Sequence, residues 1–334
     1  MSAAIELTHA RDVYAFQNGE RAEADFVDAL ARGRLHHAWL LCGPEGVGKA
    51  TFAYRAARRL MGARPDPALG LLGASPDDPV SRQIAARSHP DLMVLERVGE
   101  DGKVRKVIPV DEARKLPEFF AKAPASSPWR VAIIDAVDDM NSNAANALLK
   151  TLEEPPERGV LFLVSHAPGG LLPTIRSRCR RLRFDAWSEA AAADFLEERI
   201  GVNAEDGLRL AKMAGGAPGR ALQLAARDAL SLDRTAHEIL HRLPDCDFAP
   251  MQALTDSFRG AEGAERFDLL FERLADQVHA RALQSAQSAV TPSDRWFAVW
   301  ERLVALPRAV EAVNLDRTDA FWTAMADLRA ATRA

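Results

Sequence analysis

The sequence predicts an α/β domain built on a parallel sheet, followed by two all-α domains. Three observations carry that expectation. Continuously apolar runs alternate with helix-type segments through the first half, the pattern of parallel strands covered on both faces. A glycine-rich turn ending in lysine, Gly43-Pro44-Glu45-Gly46-Val47-Gly48-Lys49, joins the first such run to a helical segment. From Ser188 onward no convincing strand pattern occurs.

Taken in order, Arg21 to Gly33 reads as an amphipathic helix with Phe26 and Leu30 inward, broken at Gly33-Arg34. Trp39-Leu40-Leu41-Cys42 is the first strand, and Lys49 to Met61 is the helix after the glycine turn. Residues 62–79, rich in Pro, Gly and Asp, read as an irregular excursion. Leu92 to Leu95 is a short strand and residues 99–103 are a polar turn. Val107 to Val110 is extended, and Asp111 is placed to cap a helix running to Ala121. Trp129 to Asp135 is the clearest buried strand. Ser142 to Glu154 is a helix, with Ala145, Leu148, Leu149 and Leu152 on one face, ended by Pro155-Pro156. Val160 to Ser165 and Arg180 to Phe184 complete the sheet; alternation in the latter sets Arg181 and Arg183 opposite Leu182 and Phe184.

Ser188 then caps a helix to Ile200, a second spans 204–214 and stops at Gly215-Gly216, and a third begins at Pro218. Further helices follow from about 233, at 249–258, 263–289, 294–305 and 308–331. The expected domains are 1–185, 186–230 and 231–334.

Composition bounds the function. A chain of 334 residues, 48% hydrophobic and 27% charged, has ample core for two or three domains. A net charge of -4 points to no nucleic acid overall, so any such contact needs a local patch. Cys42, Cys179 and Cys246 are scattered, with neither metal spacing nor the even count of a disulfide framework. With no signal pattern and no apolar run of about 18 residues, a cytoplasmic protein is expected. Two tyrosines and 7% aromatics argue against a base-stacking platform.

The candidate chemistry starts at the glycine turn. Gly43, Gly46 and Gly48 let backbone N–H groups curl around phosphate, the helix start adds partial positive charge, and Lys49 adds a full one. The next position should offer a hydroxyl to Mg²⁺ and is Ala50; Thr51 stands one step, about 100°, further around the helix. Asp135, ending a buried strand, is a candidate magnesium holder or an ordinary turn carboxylate. The water-activating glutamate expected after it is replaced by Ala136, a place that Asp138 and Asp139 do not fill without remodelling the strand end. Arg178, in Ser177-Arg178-Cys179 before an edge strand, suits a finger toward a neighbour's γ-phosphate, and equally a basic edge that discourages strand pairing. Arg220, in Gly215-Gly216-Ala217-Pro218-Gly219-Arg220, is either a nucleotide-facing arginine or part of a plain helix–helix turn. Glu153-Glu154 sits at the helix end that disfavours acid, which hints at a specific contact. His36-His37, being adjacent, makes a poor metal pair.

The run from Asn143 to Pro156 (Asn-Ala-Ala-Asn-Ala-Leu-Leu-Lys-Thr-Leu-Glu-Glu-Pro-Pro), with Leu172-Pro173-Thr174-Ile175-Arg176-Ser177-Arg178-Cys179 and Gly33-Arg34-Leu35-His36-His37-Ala38, closely resembles the bacterial clamp-loader AAA+ subunits. Asn314-Leu315-Asp316-Arg317 is similar to their last collar helix. The resemblance implies a P-loop AAA+ domain, a small helical lid and a helical collar that holds a ring of five chains. It implies a subunit of a DNA polymerase holoenzyme, with gamma/tau and delta subunits as partners. The sliding clamp and primer-template DNA would be met through the complex, with no membrane involved. Ala50 and Ala136 set the chain apart from the family's motor and beside its non-hydrolysing member, so no intrinsic ATPase is expected. Gly43, Gly46, Gly48, Lys49, Thr51 and Asp135 would form a degenerate site holding ATP or ADP weakly, while Arg178 serves the adjacent gamma/tau subunit. Ser165 stands at the sensor position, and Gly219 takes the place of the small-domain sensor arginine. Many members carry four cysteines in a zinc module after the P-loop helix; residues 61–95 have none, so no zinc is expected. The rival readings are a self-sufficient ATPase of this fold and a nucleotide-sensing adaptor outside a ring.

Overall fold

Five strands, β1 (Ala38–Cys42), β2 (Leu92–Glu96), β3 (Arg130–Asp135), β4 (Gly159–Ser165) and β5 (Arg180–Arg183), form one parallel sheet in the order β2-β3-β4-β1-β5. The computed structural model describes residues 5–99, 103–243, 249–288 and 293–333. The chain divides into two compact units, Glu6–Leu222 and one that holds Gln223 onward.

The central strands are apolar along their length because both faces are covered. Trp39, Leu41, Val131, Ile133, Phe162 and Val164 point to one core with Phe26 and Phe52. Leu40, Ala132, Ile134, Leu161 and Leu163 point to the other with Leu148 and Leu152. This is the period-two alternation of a strand between two layers. Helices α1 (Glu20–Ala31), α2 (Lys49–Leu60) and α3 (Pro79–Ala85) cover the first face, and α4 (Val110–Ala113), α5 (Lys115–Ala121), α6 (Ser142–Glu153) and α7 (Pro173–Ser177) the second. Phe52 meets Phe162 edge to face at 6.4 Å between ring centres and Phe26 at 5.9 Å. Truncating such a ring to alanine costs about 3–5 kcal/mol.

Three local expectations change. The irregular stretch gives way at Asp78, whose carboxylate accepts from the Val80 N–H and caps α3, a helix too short to show a periodic apolar face in the sequence. Asp111 is not a cap: α4 starts at Val110 after Pro109, and Asp111 lies in its first turn beside Arg114. The single helix expected to Ala121 is two, because Pro117 has no N–H for the carbonyl four residues back and the ladder breaks at Arg114. Of the polar turn at 99–103, residues 100–102 lie outside the described residues.

Asp91, fully buried before β2, receives the N–H groups of Ala125, Ser126 and Ser127 at 2.7–3.0 Å and the Ser127 hydroxyl at 2.9 Å. Burial would raise its carboxyl pKa, but these donors hold it below the ordinary value. The carboxylate thus fixes the loop that leads into β3. Ser188 caps α8 (Glu189–Ile200) by accepting from the Ala191 N–H, and α9 (Ala204–Met213) and α10 (Pro218–Ala226) follow.

The second unit is helical: α11 (Ala229–Arg242), α12 (Ala249–Asp256), α13 (Gly260–Ser288), α14 (Ser293–Val313) and α15 (Arg317–Arg333). Phe258 packs on Phe267 and Phe321 at 5.3 and 5.7 Å. The expected break between 305 and 308 is absent, and α14 runs through Pro307. Leu303 and Val310 are buried on either side of that proline, and their packing outweighs the one lost backbone bond. The chain breaks instead at Asn314, whose φ of +52° suits a helix end. Asp316 accepts from the N–H groups of Thr318 and Asp319, so Asn314–Asp316 is the turn that opens α15. No described helix is long and apolar enough to cross a membrane.

Candidate functional site

The glycine turn leaves the C-terminal end of β1 and enters α2 at Lys49. Gly48 takes φ +94°, and a Cβ there would stand 2.6 Å from the Phe16 ring, so only glycine fits. Gly46 is closed in from the other side. A Cβ would collide with the backbone of Arg220, and the Gly219 N–H donates to the Gly46 carbonyl at 2.8 Å. The start of α10 therefore lies on the loop, with the backbone of Gly219 and Arg220 against Gly46.

Lys49 is buried and turned back on its own loop. Its ammonium donates to the carbonyl of Gly43 at 2.6 Å and to that of Pro44. Burial lowers its pKa to about 8, against the upward pull of Asp135 and Glu45. Asp135 ends β3 at the same edge of the sheet. Burial, then the nearby Glu96, push its pKa up to about 6, opposed by His9 and Lys49. Gly43, Gly46, Gly48, Lys49 and Asp135 are thus brought together. Ala50 packs against the first core, and Thr51 is buried on α2.

Ala136 is buried in the same core. Asp138 has a task the sequence did not disclose. Its carboxylate accepts from the Ser165 hydroxyl at 2.9 Å and from the N–H groups of His166 at 2.7 Å and Ala167 at 3.2 Å. It ties the ends of β3 and β4 together, and the Ser165 hydroxyl is directed to it. Among the described residues no group of His, Cys, Asp and Glu is arranged to hold a metal ion.

Arg178 follows α7 and lies just before β5. Its guanidinium donates to the Thr174 carbonyl at 3.1 Å and pairs with Glu153 at 3.0 Å. The acid at the end of α6 is thereby explained. The register matters more. β5 runs parallel to β1 with Arg180 beside Trp39 and Arg183 beside Cys42. Arg178 therefore sits at the end where the strands begin, and Lys49 at the end where they finish. At about 3.3 Å per residue, roughly 15 Å of strand separates the two levels.

A parallel sheet in this order, with a lysine-ended glycine loop after β1, an acid at the end of β3 and helices flanking and following the sheet, defines a P-loop AAA+ fold. A family model described as DNA polymerase III, delta subunit, matches residues 19–188. The chain is 36% identical over 208 residues to the DNA polymerase III subunit delta′ of Pseudomonas aeruginosa, covering 62% of this chain and 60% of that one. It is 30% identical over 221 residues to the delta′ subunit of Bacillus subtilis, covering 64% and 63%. The chain thus spans about three fifths of the length of these relatives. A solved structure of a DNA polymerase III, gamma subunit-related protein from Thermotoga maritima aligns with 92% of this chain and all of that one, at TM-score 0.51 and 18% identity, a likeness of fold. The chain belongs to the DNA polymerase III delta′ subunit family.

Proposed function

We propose that this chain is the non-hydrolysing member of a clamp-loader ring, which takes part in the ATP-driven loading of a sliding clamp onto primer-template DNA in the cytoplasm. Its contribution is Arg178, set against ATP held by an adjacent gamma/tau subunit. A cation near the γ-phosphate stabilises charge that develops as the bond breaks. The observation that carries this reading is the separation of Arg178 from its own loop by the length of the sheet. A guanidinium so placed serves a neighbour's phosphate rather than its own chain's.

The chain's own loop fits MgATP poorly. Lys49 is spent on loop carbonyls, Gly219 lies on Gly46, and position 50 has a methyl where magnesium needs oxygen. Any ATP or ADP held there would be held weakly, and no hydrolytic step is assigned to it. The helices after residue 230 would be the collar that joins gamma/tau and delta partners, and contact with clamp and DNA would be shared across the complex.

The test is a loader reconstituted with Arg178→Ala. Assembly on a sizing column should be intact, and clamp- and DNA-stimulated ATP turnover should fall by a large factor; arginine fingers in GTPases are worth about 10³–10⁵. Unchanged turnover removes the role. The isolated chain should turn over ATP no faster than its Lys49→Ala variant; a faster rate would make it an ATPase in its own right.

A further inference from the structure

The two edges of the sheet are built differently. β5 carries Arg180, Arg181 and Arg183, the charged guard that discourages strand pairing. β2, the other edge, reads Leu92-Met93-Val94-Leu95-Glu96, with neither proline nor lysine, and its first three residues are partly exposed. A groove of about 840 Å³ runs along it. One wall is Ile84 and Arg87, at and just beyond the end of α3, and the other is Arg105 with Lys115 of α5. The backbone on the groove side is open to pairing. The Val131 N–H donates to the Asp91 carbonyl, so alternation turns Asp91, Met93 and Leu95 toward β3 and the N–H and C=O of Val94 away from it.

The lining is cationic in a chain that is acidic overall. Arg11, Arg87, Arg105 and Lys115 face it against Glu96 and Glu112. Arg87 pairs with Glu96 and Arg105 with Glu112, each at 2.6 Å, and Arg11 with Asp12 at 3.5 Å, which leaves the charge of Lys115 in excess.

We propose that this groove docks an extended acidic segment of another polypeptide, added beside β2 as a sixth strand. Main-chain bonds to Val94 supply the pairing. Side chains of an added strand alternate between the two walls, so carboxylates on one side meet Arg11 and Arg87 and on the other Arg105 and Lys115. Five residues of β2 match a segment of about 17 Å. Phosphate groups of a nucleic acid would satisfy the cations and can accept from the Val94 N–H, but they offer no donor to its C=O.

The probe is a fluorescein-labelled extended peptide with Glu or Asp at consecutive positions flanked by Val or Ile, so that carboxylates face both walls, titrated into the full chain and followed by anisotropy. Binding should saturate, and the peptide with Lys for each acid should not bind. Arg87→Glu with Lys115→Glu should weaken binding by about tenfold or more. Val94→Pro removes an outward donor without touching the β3 ladder, so it should abolish binding while the chain still unfolds in one cooperative transition, whereas Val94→Thr, which also trims the contact with the first core but keeps the N–H, should bind. Hydrogen exchange should slow at the Val94 amide when peptide is added. The proposal is overturned if the Lys peptide binds equally, if Val94→Pro binds as before, or if the Val94 amide exchanges unchanged with peptide bound. It is also overturned if a single-stranded oligonucleotide displaces the peptide while leaving that amide unprotected, or if the chain pairs with itself through β2 in sedimentation.

Discussion

The guanidinium of Arg178 stands 3.0 Å from the carboxylate of Glu153, so the last residue of α6 holds the arginine that follows α7. Both side chains are partly exposed, at 36% and 52%. A pair in that setting is worth about 0.2–1 kcal/mol, enough to park a side chain and too little to keep it from a phosphate.

Glu153→Gln should therefore change the chain's stability by no more than about 1 kcal/mol in urea titration. In a reconstituted loader it should leave turnover unchanged or raise it by about twofold to fivefold, the population shift that such a pair can impose. A loader slowed tenfold by Glu153→Gln would mean that the acid acts in turnover rather than as a rest for Arg178.

Asp138→Ala strands a buried hydroxyl, that of Ser165, and takes the acceptor from the N–H groups of His166 and Ala167, which are exposed and turn to water. The expected loss is about 2–4 kcal/mol, read as a lower urea midpoint with the slope preserved. Ser165→Ala removes donor and need together and should cost about 1 kcal/mol. Equal losses in the two variants would contradict the assignment of Asp138 as the common acceptor.

Asp135 carries a pH signature. Its folded-state pKa is about 6, above the ordinary value of 3.8. Between those values the folded chain keeps a proton that the unfolded chain has released. Stability contributed by this group therefore falls as pH rises through that window and stays low above it. The shift corresponds to roughly 2–3 kcal/mol. Asp135→Asn should be more stable than the parent at pH 7, with the difference shrinking toward pH 4. A destabilised Asp135→Asn at neutral pH would show that the ionised carboxylate makes favourable contacts that outweigh its burial.

Much of the first unit was legible because its signals are local. The apolar runs of β1, β3 and β4 can be read one strand at a time, and so can the glycine turn and the face of Leu148, Leu149 and Leu152. Pro307 misled because the rule for proline weighs one backbone bond, whereas Leu303 and Val310 are buried on both sides of it. Asp111 looked like a cap because the residue type fits; Pro109 and Val110 had already begun the helix. The partners of Asp138 lie 27–29 positions away and those of Gly46 far beyond, and nothing in their immediate sequence marks them. Glu153 was the intermediate case. Its misfit with the helix dipole announced a partner without naming Arg178.

The placing of Lys49 and Arg178 at opposite ends of one sheet gives the domain a polarity. A contact that brings the arginine end of one such chain to the loop end of another is head-to-tail. It leaves one loop unserved and one arginine unspent, so it propagates until the row closes or meets a member that does not continue it. Under the proposed role this chain gives an arginine and asks for none. It is a terminus of the row, and its place among its neighbours follows from direction alone.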